Sequence, residues 1–158
     1  GGQLVSLTKN GLAALQKEFN DYQAIFGNGH RKFMTGKVIT GLGEGQYYIS
    51  LEGYRMQFIE KLGFEPYPGT LNVKLDPTGV EIRKGISPSV LISGFTTQNR
   101  TFGSGSCFNI MINDIKGAVI VPQRTHYPED IIEIIAPVNL REHLKIIDGS
   151  TIEVEVIQ

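Results

Sequence analysis

What most constrains this chain is the placement of its glycines. There are 19 in 158 residues, well above the usual share of about 7%. They do not gather into a linker. Most stand singly, as at Gly36, Gly53, Gly85, Gly94 and Gly117, between short runs rich in Val, Ile, Thr and aromatics. Short β-forming runs separated by frequent turn signals predict an all-β barrel or sandwich. The candidate strands are Lys37–Thr40, Gln46–Leu51, Leu71–Leu75, Val80–Arg83, Val90–Ser93, Ser106–Ile112, Ala118–Val121, Ile131–Ile135 and Thr151–Ile157. The last alternates cleanly: Ile152, Val154 and Val156 share one face and Glu153 and Glu155 the other, the pattern of a half-buried strand.

Three segments follow a helical period instead. Leu12, Leu15, Phe19, Tyr22 and Phe26 recur at helical spacing, with Thr8 as N-cap and Gly27 as stop. A shorter helix is expected over Tyr54–Leu62, ended by Gly63. Another follows Pro137, where Asn139 and Glu142 have capping-box-like spacing. Composition shifts near Gly27–Lys32, which divides the chain into residues 1–30 and 31–158. The first piece, with Gln3–Thr8 before its helix, reads as the wing and last helix of a partial winged helix-turn-helix. A helix that merely packs on the barrel is the alternative. Neither reading includes a recognition helix, so DNA is a partner only through a complete winged helix.

Charge and cysteine content exclude several classes. The formal net charge is −1, which argues against binding polyanions over the whole surface. One cysteine, Cys107, rules out an intrachain disulfide framework and a cysteine-rich zinc site, and suits a reducing cytoplasm. His30, His126 and His143 lie far apart, without cysteines at ligand spacing. No apolar run is long enough to span a membrane.

Three motifs carry chemistry. In Thr40–Tyr48, alternate glycines at 41, 43 and 45 let backbone approach a ligand and expose successive N–H groups, as a phosphate nest requires. No Gly-Lys-Ser/Thr ending makes this a P-loop; Gln46 replaces the third glycine of a dinucleotide fingerprint, and a strand is expected to follow. A ligand-free hairpin of the same composition is the plain alternative. In Gly63–Val73, Thr70 and Asn72 are two apart and project from one face of an extended chain. Their oxygens could ligate Mg²⁺, or could satisfy nearby backbone in a turn. In Val121–Pro128 and the Glu129–Pro137 stretch that follows, Glu133 is a lone carboxylate in an otherwise apolar strand, facing opposite to Ile132 and Ile134. There it either points to solvent or acts as a base or ligand clamp. Asn139 and Arg141 stand at a helix start, which suits an anion or a simple cap.

Taken together, Gly36–Tyr48, Leu62–Asn72, Lys116–Pro122 and Glu133–Arg141 resemble the archaeal CTP-dependent riboflavin kinase family in order and spacing, from about Phe33 to the C-terminus. The resemblance implies a small six-stranded cradle-loop β-barrel with short helices, preceded by the winged-helix remnant. It implies transfer of the γ-phosphoryl of CTP to the 5′-hydroxyl of riboflavin, giving FMN and CDP, with Mg²⁺ as cofactor. By position, Leu42, Gly43, Glu44, Gly45, Gln46 and Tyr47 would line the nucleotide, as would Val138, Asn139, Leu140 and Arg141. Thr70 and Asn72 would hold the metal, while Thr125 and Glu133 would contact the flavin. Glu133 is also the one carboxylate proposed as catalytic base. Gln46 stands where some relatives carry a basic residue, and Gly94–Phe108 matches only loosely, as a flap. The alternative function is a regulator module that senses flavin or nucleotide without catalysis.

Overall fold

The computed structural model describes residues 31–41, 43–124 and 127–157. The chain divides at Arg31/Lys32 into two units. The expected helix and wing before Gly27 lie outside the described residues, as do Leu42 and Thr125.

Among the described residues nine strands form: β1 (Lys32–Ile39), β2 (Leu71–Leu75), β3 (Val90–Ile92), β4 (Phe95–Thr97), β5 (Arg100–Phe102), β6 (Gly105–Ile112), β7 (Ile115–Pro122), β8 (Ile131–Ile135) and β9 (Thr151–Ile157). Six of them close in the order β6-β7-β8-β2-β1-β9, with β9 pairing back onto β6, so the mainly β reading holds and the barrel alternative is the one realised. Every pairing in the barrel is antiparallel. The β3 strand pairs with the first residues of β6, beside the stretch of β6 that meets β9. Alternate residues fill the interior, as a barrel this narrow requires. Met34, Val73, Phe108, Ile110 and Val154 are fully buried there. The predicted alternation in β9 is observed: Ile152, Val154 and Val156 are buried and Glu153 is exposed.

A second apolar layer lies on the outer face of β3, β6, β7 and β8, where Ile92, Cys107, Ala118 and Ile135 meet α1 (Gly45–Ser50) and α2 (Glu52–Leu62) through Ile49, Phe58 and Leu62. Burial there pushes the Cys107 thiol up to about 12, which suits a core residue rather than a nucleophile. Gly63 ends α2 in the left-handed region at φ 83°, as its position predicts.

Two predicted strands are helices. Gln46–Leu51 becomes α1, because Ile49 is drawn into the second apolar layer and Tyr48 packs edge-on against Phe102, overriding β propensity. Val80–Arg83 lies within α3 (Pro77–Lys84). Asp76 caps it, accepting from the Gly79 N–H at 2.7 Å, and Pro77 occupies the first turn, where its missing N–H costs nothing. The predicted cap at Asn139 is observed at the start of α4 (Leu140–Leu144), its side chain accepting from Glu142 N–H at 3.2 Å.

Candidate active site

The site begins with strand register. Ile39 of β1 pairs with Asn72 of β2, Asn72 with Glu133 of β8, Glu133 with Ile120 of β7, and Ile120 with Cys107 of β6. Their neighbours Val73, Ile132, Ile134 and Val119 fill the barrel, so strand alternation turns this transverse row outward. Asn72 and Glu133 are its polar members. A cavity of about 860 Å³ opens over them, walled by the glycine loop, α1 and α2, and the segment after β5. That volume lies in the upper part of the ~300–1,000 Å³ range usual for ligand pockets.

Asn72 is only 3% exposed. Its Oδ1 accepts from the Thr70 hydroxyl at 2.8 Å and its Nδ2 donates to the Tyr127 hydroxyl at 2.7 Å. The glycine loop rests directly on these groups. A Cβ at Gly41 would overlap Asn72 Nδ2, and one at Gly45 would come within 2.8 Å of Thr70 Oγ1. Close approach is therefore what these two glycines provide. The hydroxyl of Thr70 and the carbonyl of Asn72 are paired neutral oxygens beside the glycine loop. This donor set fits Mg²⁺, which takes few protein ligands when phosphates complete its shell. Among the described residues no three His, Cys, Asp or Glu side chains converge to make a fully protein-ligated site.

Glu133 is half-buried. Burial raises its carboxyl above the usual range, and the nearby Glu44 carboxylate raises it further. Arg141, which also lines the cavity, donates to Asp148 Oδ1 at 2.7 Å and to the Ile39 carbonyl at 3.2 Å. The other oxygen of Asp148 accepts from the Thr40 hydroxyl. The Thr40 hydroxyl and Arg141 together hold the Asp148 carboxyl below its ordinary value.

The hairpin β4–β5 turns at Gln98 and Asn99, both with positive φ, and leans on α1 and α2. Phe95 and Phe102 stack at 4.9 Å, Tyr54 meets Phe95 edge-on at 4.7 Å, and the Tyr54 hydroxyl donates to the Gly103 carbonyl at 2.6 Å. Arg100 lies over the Phe102 ring and reaches the Tyr47 and Tyr48 hydroxyls at 3.3 and 3.4 Å. The loosely matched flap is thus an aromatic-backed hairpin at the rim of the cavity.

Of the residues singled out in the sequence, Gly43, Glu44, Gly45, Gln46, Thr70, Asn72, Glu133 and Arg141 line this one cavity. Tyr47 is half exposed outside it, Leu140 is buried in the barrel core, Val138 packs against that core, and Asn139 is occupied as a cap. Tyr127 falls inside the third motif, but nothing local in the sequence marks it for a role. Its Tyr-Pro dipeptide gave no sign that the phenol reaches Asn72, 55 residues away in the chain. Among the described residues no helix is long and apolar enough to cross a membrane.

The model of the CTP-dependent riboflavin kinase domain, described as a domain of unknown function, DUF120, matches residues 38–156. A protein named riboflavin kinase from Archaeoglobus fulgidus is 49% identical over 158 residues, covering 99% of this chain and 68% of its own length. One of the same name from Methanocella arvoryzae is 51% identical over 153 residues, covering 97% and 70%. Another from Pyrobaculum aerophilum is 47% identical over 158 residues, covering 99% and 75%.

Proposed function

Because the chain belongs to the CTP-dependent riboflavin kinase family, we propose that it transfers the γ-phosphoryl group of CTP to the 5′-hydroxyl of riboflavin, releasing CDP and FMN. The observation that carries this reading is the Asn72–Glu133 pair at the floor of a cavity roofed by the glycine loop. Phosphoryl transfer asks a protein for alignment and charge neutralisation rather than a covalent nucleophile. The arrangement suits both.

In this mechanism the backbone of residues 41–46 receives the nucleotide phosphates. Arg141, at the cavity lining, adds positive charge. Thr70 and Asn72 hold Mg²⁺, which when bound neutralises charge on the phosphate oxygens. Thr125 and Glu133 contact the flavin. Glu133 takes the proton of the ribityl 5′-hydroxyl as its oxygen meets the γ-phosphorus. A raised carboxyl suits that role, since a general base works best when its pKa lies near the working pH. The hairpin β4–β5 screens the cavity from water. We further propose that residues 1–30 are a partial winged helix-turn-helix appended to the kinase barrel.

The direct test is incubation with riboflavin and each of the four nucleoside triphosphates, with and without Mg²⁺, followed by flavin chromatography. FMN formed with CTP and requiring the metal is the expected result. Retained flavin binding with no FMN from any nucleotide would assign the site to sensing instead.

A further inference from the structure

The buried amide of Asn72 has two ends and two different neighbours. Oδ1 faces the Thr70 hydroxyl at 2.8 Å, and Nδ2 faces the Tyr127 hydroxyl at 2.7 Å. Only the first orientation shows an oxygen on the Thr70 side. From this geometry we infer that Tyr127 is a positioning residue: its phenol oxygen holds the Asn72 amide with the carbonyl turned toward Thr70, where both oxygens can face a divalent cation. The inference rests on the reading that Thr70 and Asn72 hold the metal.

The reasoning follows from what each group can do. A primary amide is nearly symmetric in shape, so a half-turn of the side chain exchanges its donor and acceptor ends. Thr70 cannot choose between them, because a hydroxyl both donates and accepts. At 3% exposure, a donor left without an acceptor is poorly solvated. With the phenol present, the carbonyl-toward-Thr70 orientation satisfies the NH₂ group on the far side. Without it, that orientation strands the NH₂, and the flipped one relieves it by donating to Thr70. The flipped amide presents hydrogens to the cation. Gly41 packs against the same pair: a Cβ there would overlap Nδ2 and lie 2.9 Å from the Tyr127 oxygen. The loop therefore closes one side of this hydrogen bond.

Tyr127→Phe removes one oxygen and keeps the ring. The test titrates Mn²⁺ into the full chain with CDP present and reads the free ion by electron paramagnetic resonance, against CDP alone. We expect wild type to take up Mn²⁺ and Tyr127→Phe to bind it about 10- to 100-fold more weakly, the usual effect of losing an outer-shell partner. The KM for riboflavin should stay unchanged. Adding Asn72→Asp to Tyr127→Phe should restore binding, since a carboxylate shows an oxygen whichever way it turns. Wild-type affinity in Tyr127→Phe overturns the inference. So does a double variant as weak as the single one, which would make the loss a general structural effect. Wild type that takes up no more Mn²⁺ than CDP alone overturns the metal-pair reading itself.

Discussion

Glu133 sits directly across the β2–β8 ladder from Asn72, so the carboxylate and the buried amide are cross-strand neighbours on one face of the barrel. Neighbours of this kind have Cβ atoms roughly 5 Å apart. A base assigned to the flavin hydroxyl and an oxygen assigned to the metal are thereby held at a separation fixed by backbone hydrogen bonds rather than by loop conformation.

Glu133→Gln should lower kcat by about 10²- to 10⁴-fold, the usual contribution of a general base, with a small change in the KM for riboflavin. Single-turnover kinetics measure this. A large rise in KM at intact kcat would make Glu133 a clamp instead.

The pH dependence has a definite sign. Burial, then Glu44, raises the Glu133 carboxyl, and a base must be ionised to act. The acid limb of kcat/KM should therefore lie above the ordinary carboxylate range and move to lower pH in Glu44→Gln. A group with a raised folded-state value contributes stability below its unfolded value and loses it as pH rises through the folded one. Ionised Glu133 thus disfavours the fold at neutral pH, and Glu133→Gln should raise Tm there while abolishing most turnover. Calorimetry at pH 7 checks this.

Gly41→Ala should lower kcat/KM by roughly 10²-fold, the scale of a displacement of about 1 Å at a reacting centre, because its methyl would meet Asn72 and Tyr127. Gly63→Ala is the contrast. It lies at φ 83°, and among the described residues a Cβ there would meet only Lys116 Nζ, at 3.8 Å, so it should cost about 1–2 kcal/mol of stability and leave steady-state kinetics intact.

Asp148→Asn should release Arg141 from its 2.7 Å ion pair and raise the nucleotide KM. Both side chains are substantially exposed, and such pairs are worth at most about 1 kcal/mol, so the rise should not exceed about fivefold. A larger change would mean that Asp148 touches substrate itself.

Stability substitutions should separate by mechanism. Phe108→Ala removes a fully buried ring from the barrel and should cost about 3–5 kcal/mol. Asp76→Ala removes a helix cap and should cost about 1 kcal/mol. Urea unfolding of the two variants measures the difference.

How far the sequence could be read depended on whether local pattern or distant packing decided each element. β2, β8, β9 and the α4 cap were legible because alternation and capping are local. Gln46–Leu51 has the composition of a strand yet is helical, and nothing within the segment announces that Ile49 will be buried against β3 and β6. Val80–Arg83 alternates like a strand, and the signal that should have prevailed was Asp76-Pro77 just before it. The β4–β5 hairpin has no local signature, because its turn places Gln98 at φ 47°, where that residue type is uncommon. Thr70, Asn72 and Glu133 were singled out by facing, which left turn and solvent alternatives open, and were given roles only by the family resemblance. Tyr127 was not singled out, since its partner is set by tertiary structure.

The double pairing of β9 bears on the order of events during synthesis. This strand joins both β1 and β6, and it follows every other barrel strand in the chain. Until it has emerged from the ribosome, β1 and β6 each keep an open edge, and the sheet that carries Asn72 and Glu133 cannot close. Nascent chains halted before Thr151 should thus be sensitive to protease and blind to substrate. The seven residues of β9, none of which lines the cavity, act as a timer on when the cavity first exists.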